Sequence, residues 1–131
     1  MIDLSFHHQG IASRNLEQEK HVWISLGYKT ESDVFEDEHQ GIMGQFLVGA
    51  GPRLEILQPL PGHSVLDSYL NKNTKIYHSG YETRDVDHTI DQFRSKRAKL
   101  VSPPFPSVAF AGRRIAFLLM PNMYLIELID A

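Results

Sequence analysis

Four residues in this chain have the types and order that metal chemistry requires. His8 and His78 each open the motif His-x-Gly, in His8-Gln9-Gly10 and His78-Ser79-Gly80. Glu55 and Glu127 each interrupt an apolar run, Leu54-Glu55-Ile56-Leu57 and Tyr124-Leu125-Ile126-Glu127-Leu128-Ile129. An acid in a strand that otherwise favours burial must find a cation or a donor, because an unpaired buried carboxylate costs several kcal/mol. Two imidazoles and two carboxylates neutralise a divalent ion. They suit Zn, Co, Ni, Mn or Fe, and residue types alone do not choose among these. A six-coordinate ion would keep two positions for substrate and act as a Lewis acid toward a carbonyl.

The four fall into two matched pairs. His8 to Glu55 spans 47 residues and His78 to Glu127 spans 49. Such self-similarity points to an internal repeat. Each His-x-Gly lies on a strand-like stretch, near Leu4 to Ala12 and Ile76 to Thr83, and a helix start follows each, at Asn15-Leu16 and Asp85-Val86. Asn and Asp are good helix caps because their side-chain oxygens accept first-turn N–H groups. The first helix is expected to bury Leu16, Val22, Trp23 and Leu26 and to stop at Gly27. The second is expected to bury Val86, Ile90 and Phe93, with basic residues in its last turn.

Three strands complete each copy. In the first they are expected near Tyr28 to Phe35, Gly41 to Val48 and Arg53 to Leu57. In the second they are expected near Lys99 to Val101, Arg114 to Leu119 and Tyr124 to Ile129. The fold class is therefore α+β, two βαβββ modules. Module one is residues 1–58 and module two is 75–131. The linker, 59–74, holds a Pro/Gly turn and a short helix capped by Ser64. A small sheet with one helix cannot close a core alone, so the modules make a single domain.

Composition narrows the partners. Hydrophobic residues form 42% of the 131, charged residues 22%, and the formal net charge is -3 with both signs interspersed. This argues against a nucleic-acid or anionic-membrane surface. The chain has no cysteine, so thiolate ligands and disulfides are excluded. No signal peptide and no apolar stretch long enough for a bilayer is visible, so a cytoplasmic location is expected.

The sequence resembles the vicinal-oxygen-chelate superfamily, which includes glyoxalase I, methylmalonyl-CoA epimerase, extradiol dioxygenases and bleomycin-resistance proteins. The resemblance runs through FHHQGIA from Phe6, GPRLEILQPL from Gly51, HSVLDSYLNKN from His63 and RRIAFLLMPNMYLIELI from Arg113. It implies paired βαβββ modules forming a cupped mixed sheet with helices outside. It also implies one divalent metal ion on His8, Glu55, His78 and Glu127, and a homodimer. The likeness is greatest to the epimerase branch. That implies proton abstraction beside a metal-bound carbonyl of a small-molecule substrate, such as a CoA or other acyl thioester. Glu127 and Glu55 would act as the catalytic acid and base.

A glyoxalase I-like lyase and a non-catalytic binding or resistance protein are the alternatives. Bacterial glyoxalase I carries an Arg four residues past its first ligand and an Asn four past its second, where this chain has Ala12 and Pro59. Gln45, Arg113, Phe105 and Phe110 are expected substrate contacts, with Tyr81 as a further stacking surface. His7 is expected to face away from the metal, and His21, His39, His63 and His88 to lie on the surface.

Overall fold

A computed structural model of the chain describes residues 2–131. It divides into two compact units that follow the repeat. One is His8–Tyr77. The other is His78–Ala131, together with the start of the first strand up to His7.

The first unit contains β1 (Ser5–Ala12) from His8 on, α1 (Leu16–Ser25), β2 (Lys29–Thr30), β3 (Phe35–Asp37), β4 (Ile42–Val48), β5 (Leu54–Pro59) and α2 (Asp67–Asn71). Its strands run in the order β2-β4-β5-β1, with β3 also on β4. β1 and β5 are parallel, and the other pairs are antiparallel. The second contains β6 (Ile76–Thr83) from His78 on, α3 (Val86–Arg94), β7 (Lys99–Pro106), a 3-10 turn at Val108–Phe110, β8 (Arg114–Leu119) and β9 (Leu125–Asp130). Its order is β6-β9-β8-β7, with β6 and β9 parallel. The class is α+β with mixed sheets, as expected.

The caps match between copies. Asn15 accepts a bond from the Gln18 N–H, and Asp85 accepts one from the His88 N–H. α3 buries Val86, Thr89, Ile90 and Phe93, the i, i+3, i+4, i+7 stripe of an amphipathic helix. These pack on Ala116, Leu118, Ile126 and Leu128.

α1 departs from its expected face. Leu16 is its one buried residue, and Trp23 is partly buried against Ile11, Tyr28 and Leu54. Val22 and Leu26 are 57% and 58% exposed. Leu16 and Trp23 stand seven residues apart, two helical turns, and so lie almost on one line, while Val22 and Leu26 fall to its side. Trp23 anchors this line by donating its indole N–H to Glu19 across one turn.

Three further boundaries differ. The expected strand from Tyr28 to Phe35 is broken into β2 and β3. β7 runs to Pro106, well past Val101. Among the described residues it bonds to β8 alone, and its register with β8 shifts between Leu100 and Ser102 and again between Ser102 and Phe105, where Pro103 and Pro104 sit. Proline has no ladder donor and is tolerated on such an outer strand. The short helix starts at Asp67, with Leu66 rather than Ser64 at its cap position and no side-chain capping bond. The joining segment also belongs to the first unit's core, since Leu66 and Leu70 pack with Ala12, Ile42 and Leu57.

The two helices should respond differently to truncation. Ile90→Ala is expected to cost about 2–5 kcal/mol, as for other buried large-to-small changes. Val22→Ala should stay within about 0.5 kcal/mol, the range of exposed positions. Urea unfolding of both variants checks this, and equal losses would contradict the assigned faces.

Candidate functional site

The first His–Glu pair is built by two parallel neighbours. On β1 and β5, Gly10 is the partner of Glu55. Side chains two apart on a strand share a face, so His8 and Glu55 point the same way. His8 Nε2 lies 3.2 Å from Glu55 Oε1, with both side chains buried. Phe46 on β4 is the cross-strand partner of Glu55, and its ring meets His8 edge-on at 5.7 Å.

The second pair repeats this arrangement. On β6 and β9, Gly80 is the partner of Glu127. His78 Nε2 lies 3.2 Å from Glu127 Oε1, again with both side chains buried. Phe117 on β8 is the partner of Glu127, and its ring meets His78 edge-on at 5.5 Å. The glycine of His-x-Gly thus occupies the position beside each carboxylate, on its face. A side chain there would stand on the same face as the pair.

In each module one imidazole nitrogen and one carboxylate oxygen are therefore held together in an apolar setting. These donor types fit a borderline divalent ion, and thiolates are excluded by composition. Phe46 and Phe117 were not identified from the sequence. They precede Glu55 and Glu127 by nine and ten residues, and this one-residue difference hides the correspondence when the two copies are aligned on their glutamates.

The other expected contacts divide. Phe105 pairs with Ile115, and Ile115 pairs with Ile129, so Phe105 shares the Glu127 face. Phe110, in the 3-10 turn, is buried, with the Arg113 guanidinium 5.6 Å from its ring centre and the His7 ring edge-on at 5.3 Å. Arg113 donates from Nη1 to Glu82 at 2.8 Å. Gln45 is not brought to Glu55. It pairs with Ile56, which lies on the opposite face, and its Nε2 donates to the Ser32 carbonyl. Tyr81 pairs with Leu128, so it lies on the face away from Glu127. Its hydroxyl bonds that of Tyr124 at 2.9 Å. Arg114 binds Asp87 and Asp130. His21, His39, His63 and His88 are exposed, as expected.

The sequence pattern of the glyoxalase/bleomycin resistance protein/dioxygenase superfamily matches residues 7–117. The chain belongs to this superfamily. The mitochondrial methylmalonyl-CoA epimerase of Dictyostelium discoideum is 25% identical over 115 residues, covering 86% of this chain and 68% of the relative. A hypothetical protein from Bacillus halodurans has the same fold, with a TM-score of 0.83 at 21% identity over 98% of this chain and 95% of that one. The methylmalonyl-CoA epimerase of Mycobacterium tuberculosis superposes with a TM-score of 0.79 at 26% identity, covering 95% and 86%. A variant of the Streptomyces coelicolor epimerase, in complex with 2-nitronate-propionyl-CoA, gives 0.79 at 25% identity, covering 96% of each chain. No helix among the described residues is long and apolar enough to cross a membrane.

The Tyr81–Tyr124 contact has a measurable signature. Burial, with the Tyr124 hydrogen bond second, pushes the Tyr81 phenol up to about 12. Whatever stability this contributes is fully present below the ordinary value of about 10 and is lost as pH rises through about 12. Ultraviolet titration should show Tyr81 ionising late, and Tyr124→Phe should move it back toward the ordinary value. A titration unchanged by Tyr124→Phe would contradict the assignment.

Proposed function

We propose that the chain is a divalent-metal-dependent isomerase of the epimerase type. It would act on a carbon next to the carbonyl of an acyl thioester. In this reading His8, Glu55, His78 and Glu127 hold one ion, each offering one ligand atom. The observation that carries it is the duplicated buried His–Glu pair, set at 3.2 Å by the same register in both modules. Its support is chemical. A buried carboxylate must find a cation or a hydrogen-bond donor, and a divalent ion is a cation that two imidazoles and two carboxylates suit. The likeness to methylmalonyl-CoA epimerases gives the reaction class and the thioester.

A divalent ion of this type, Zn, Co, Ni, Mn or Fe, supplies Lewis acidity that stabilises negative charge on the substrate's carbonyl oxygen. The remaining work belongs to the chain. Glu127 takes the proton from the carbon beside the carbonyl. Glu55, its counterpart in the repeat, returns a proton as its acid form, which inverts the centre when delivery is to the other face; each carboxylate would have to loosen its hold on the ion to play this part. General acid–base assistance of this kind contributes about 10²–10⁴-fold. Phe46 and Phe117 limit the tilt of the two imidazoles and keep water from the pairs.

Glutathione chemistry is less well supported. Ala12 is buried against Leu57 and Leu66, and Pro59 closes β5 opposite Ile42, so neither offers a charged or amide contact.

Metal-loaded protein should exchange deuterium from solvent into the α-carbon of a branched malonyl-type thioester. Glu127→Gln should slow this by about a hundredfold or more. The absence of exchange across several acyl thioesters would overturn the reading.

A further inference from the structure

We propose that Phe35, seated across Gly44, is a positioning residue that fixes the His8 ring, and that the repeat does not give His78 the same support. This role rests on the reading of His8 as a metal ligand.

Gly44 is where the first module makes room. A Cβ on it would stand 2.7 Å from Phe35 Cζ and 2.7 Å from Leu57 Cδ2. Carbon atoms settle about 3.5–4.0 Å apart, so the Phe35 ring can lie there only because position 44 has no side chain. Gly44 is the strand partner of both Phe35 and Leu57. It stands two residues before Phe46, and so on the Glu55 face. From this seat the Phe35 ring meets the Phe46 ring at 5.8 Å, tilted by 36°. Phe46 in turn meets His8 edge-on at 5.7 Å. Three rings thus run in contact from β3 to the histidine, each pair within the range of about 4.5–7 Å in which aromatic rings attract.

The outer end of this row is held in place. Asp37, at the turn from β3 into β4, is 2% exposed. Its carboxylate accepts from the Gln40 backbone N–H at 3.1 Å and from Gln40 Nε2 at 2.8 Å, and its carbonyl accepts from the Gly41 N–H. Phe35 lies two residues before this clamp, and its ring also packs on Ala12, Ile42, Leu57, Leu66 and Leu70.

The second module has the same positions and a different filling. By register from the acids, Phe117 stands for Phe46, Ile115 for Gly44, Ile129 for Leu57 and Phe105 for Phe35. Ile115 is fully buried, and its own side chain takes the room that Gly44 leaves open. Phe105 follows two shifts of register on an outer strand, where Phe35 precedes a clamped turn. A buried isoleucine under a phenylalanine therefore suffices to fill the core at this place. The glycine adds the ring-to-ring contact that ends on His8. Side chains locked by packing hold their ligand atoms in one geometry, which is what a metal site needs.

The test is nitrogen-15 NMR of the histidine rings in the full, metal-free chain, with cobalt affinity measured separately by chelator competition. Phe35→Leu is expected to broaden or double the His8 ring signals and to leave those of His78 sharp. Phe105→Leu should leave the His78 signals as they are. Cobalt affinity should fall about tenfold in Phe35→Leu, as for other residues that orient a ligand. Gly44→Ala should lower both affinity and unfolding temperature. Phe35→Leu added to it gives the new methyl room, so the double variant should regain unfolding temperature without regaining affinity. A phenylalanine that only filled the core would let both recover. Unchanged His8 signals in Phe35→Leu, equal disturbance of His8 and His78, or recovery of affinity in the double variant would each overturn the proposal. A wild type that binds no cobalt would count against the four-ligand reading alone, because the ring signals are read without metal.

Discussion

Burial of two carboxylates in apolar strands is the constraint that organises this chain. Glu55 and Glu127 are 4% and 2% exposed, among leucines and isoleucines of β5 and β9. Each stands 3.2 Å from a buried histidine. Desolvating an ion in this way is costly unless charge and hydrogen bonding compensate. The parallel register that sets each histidine beside its glutamate, the glycines beside the acids and the phenylalanines flanking the imidazoles all serve this one requirement.

The scaffold meets it twice by the same means. An Asx cap fixes each helix start a few residues after the His-bearing strand. The return strand then runs parallel to that first strand and brings its glutamate alongside the glycine. Apolar residues of β5 and β9 alternate with the acids and fill the helix-packed face. Leu54 and Ile56 do so in one module, and Ile126 and Leu128 in the other. The strand alternation that builds the core also presents the acid on the other face.

Much of this was legible because it is periodic. The repeat, both caps, the limits of β6 and β8 and the pairing of each histidine with its glutamate follow from spacing and residue type. What was not legible depends on tertiary contacts. Val22 and Leu26 look like core, but α1 packs on its sheet through Leu16 and Trp23. Gln45 has a face only once β4 is in register with β5. The Pro103-Pro104 pair reads as a loop, yet β7 keeps strand pairing on either side of its register shift.

The central claim is that the two pairs serve one ion. Metal stoichiometry tests it most directly, by mass spectrometry of elemental content on protein equilibrated with cobalt and then desalted. The account predicts one ion per chain, lost in both His8→Ala and His78→Ala. Two ions per chain, or retention of the full ion when either histidine is removed, would contradict it.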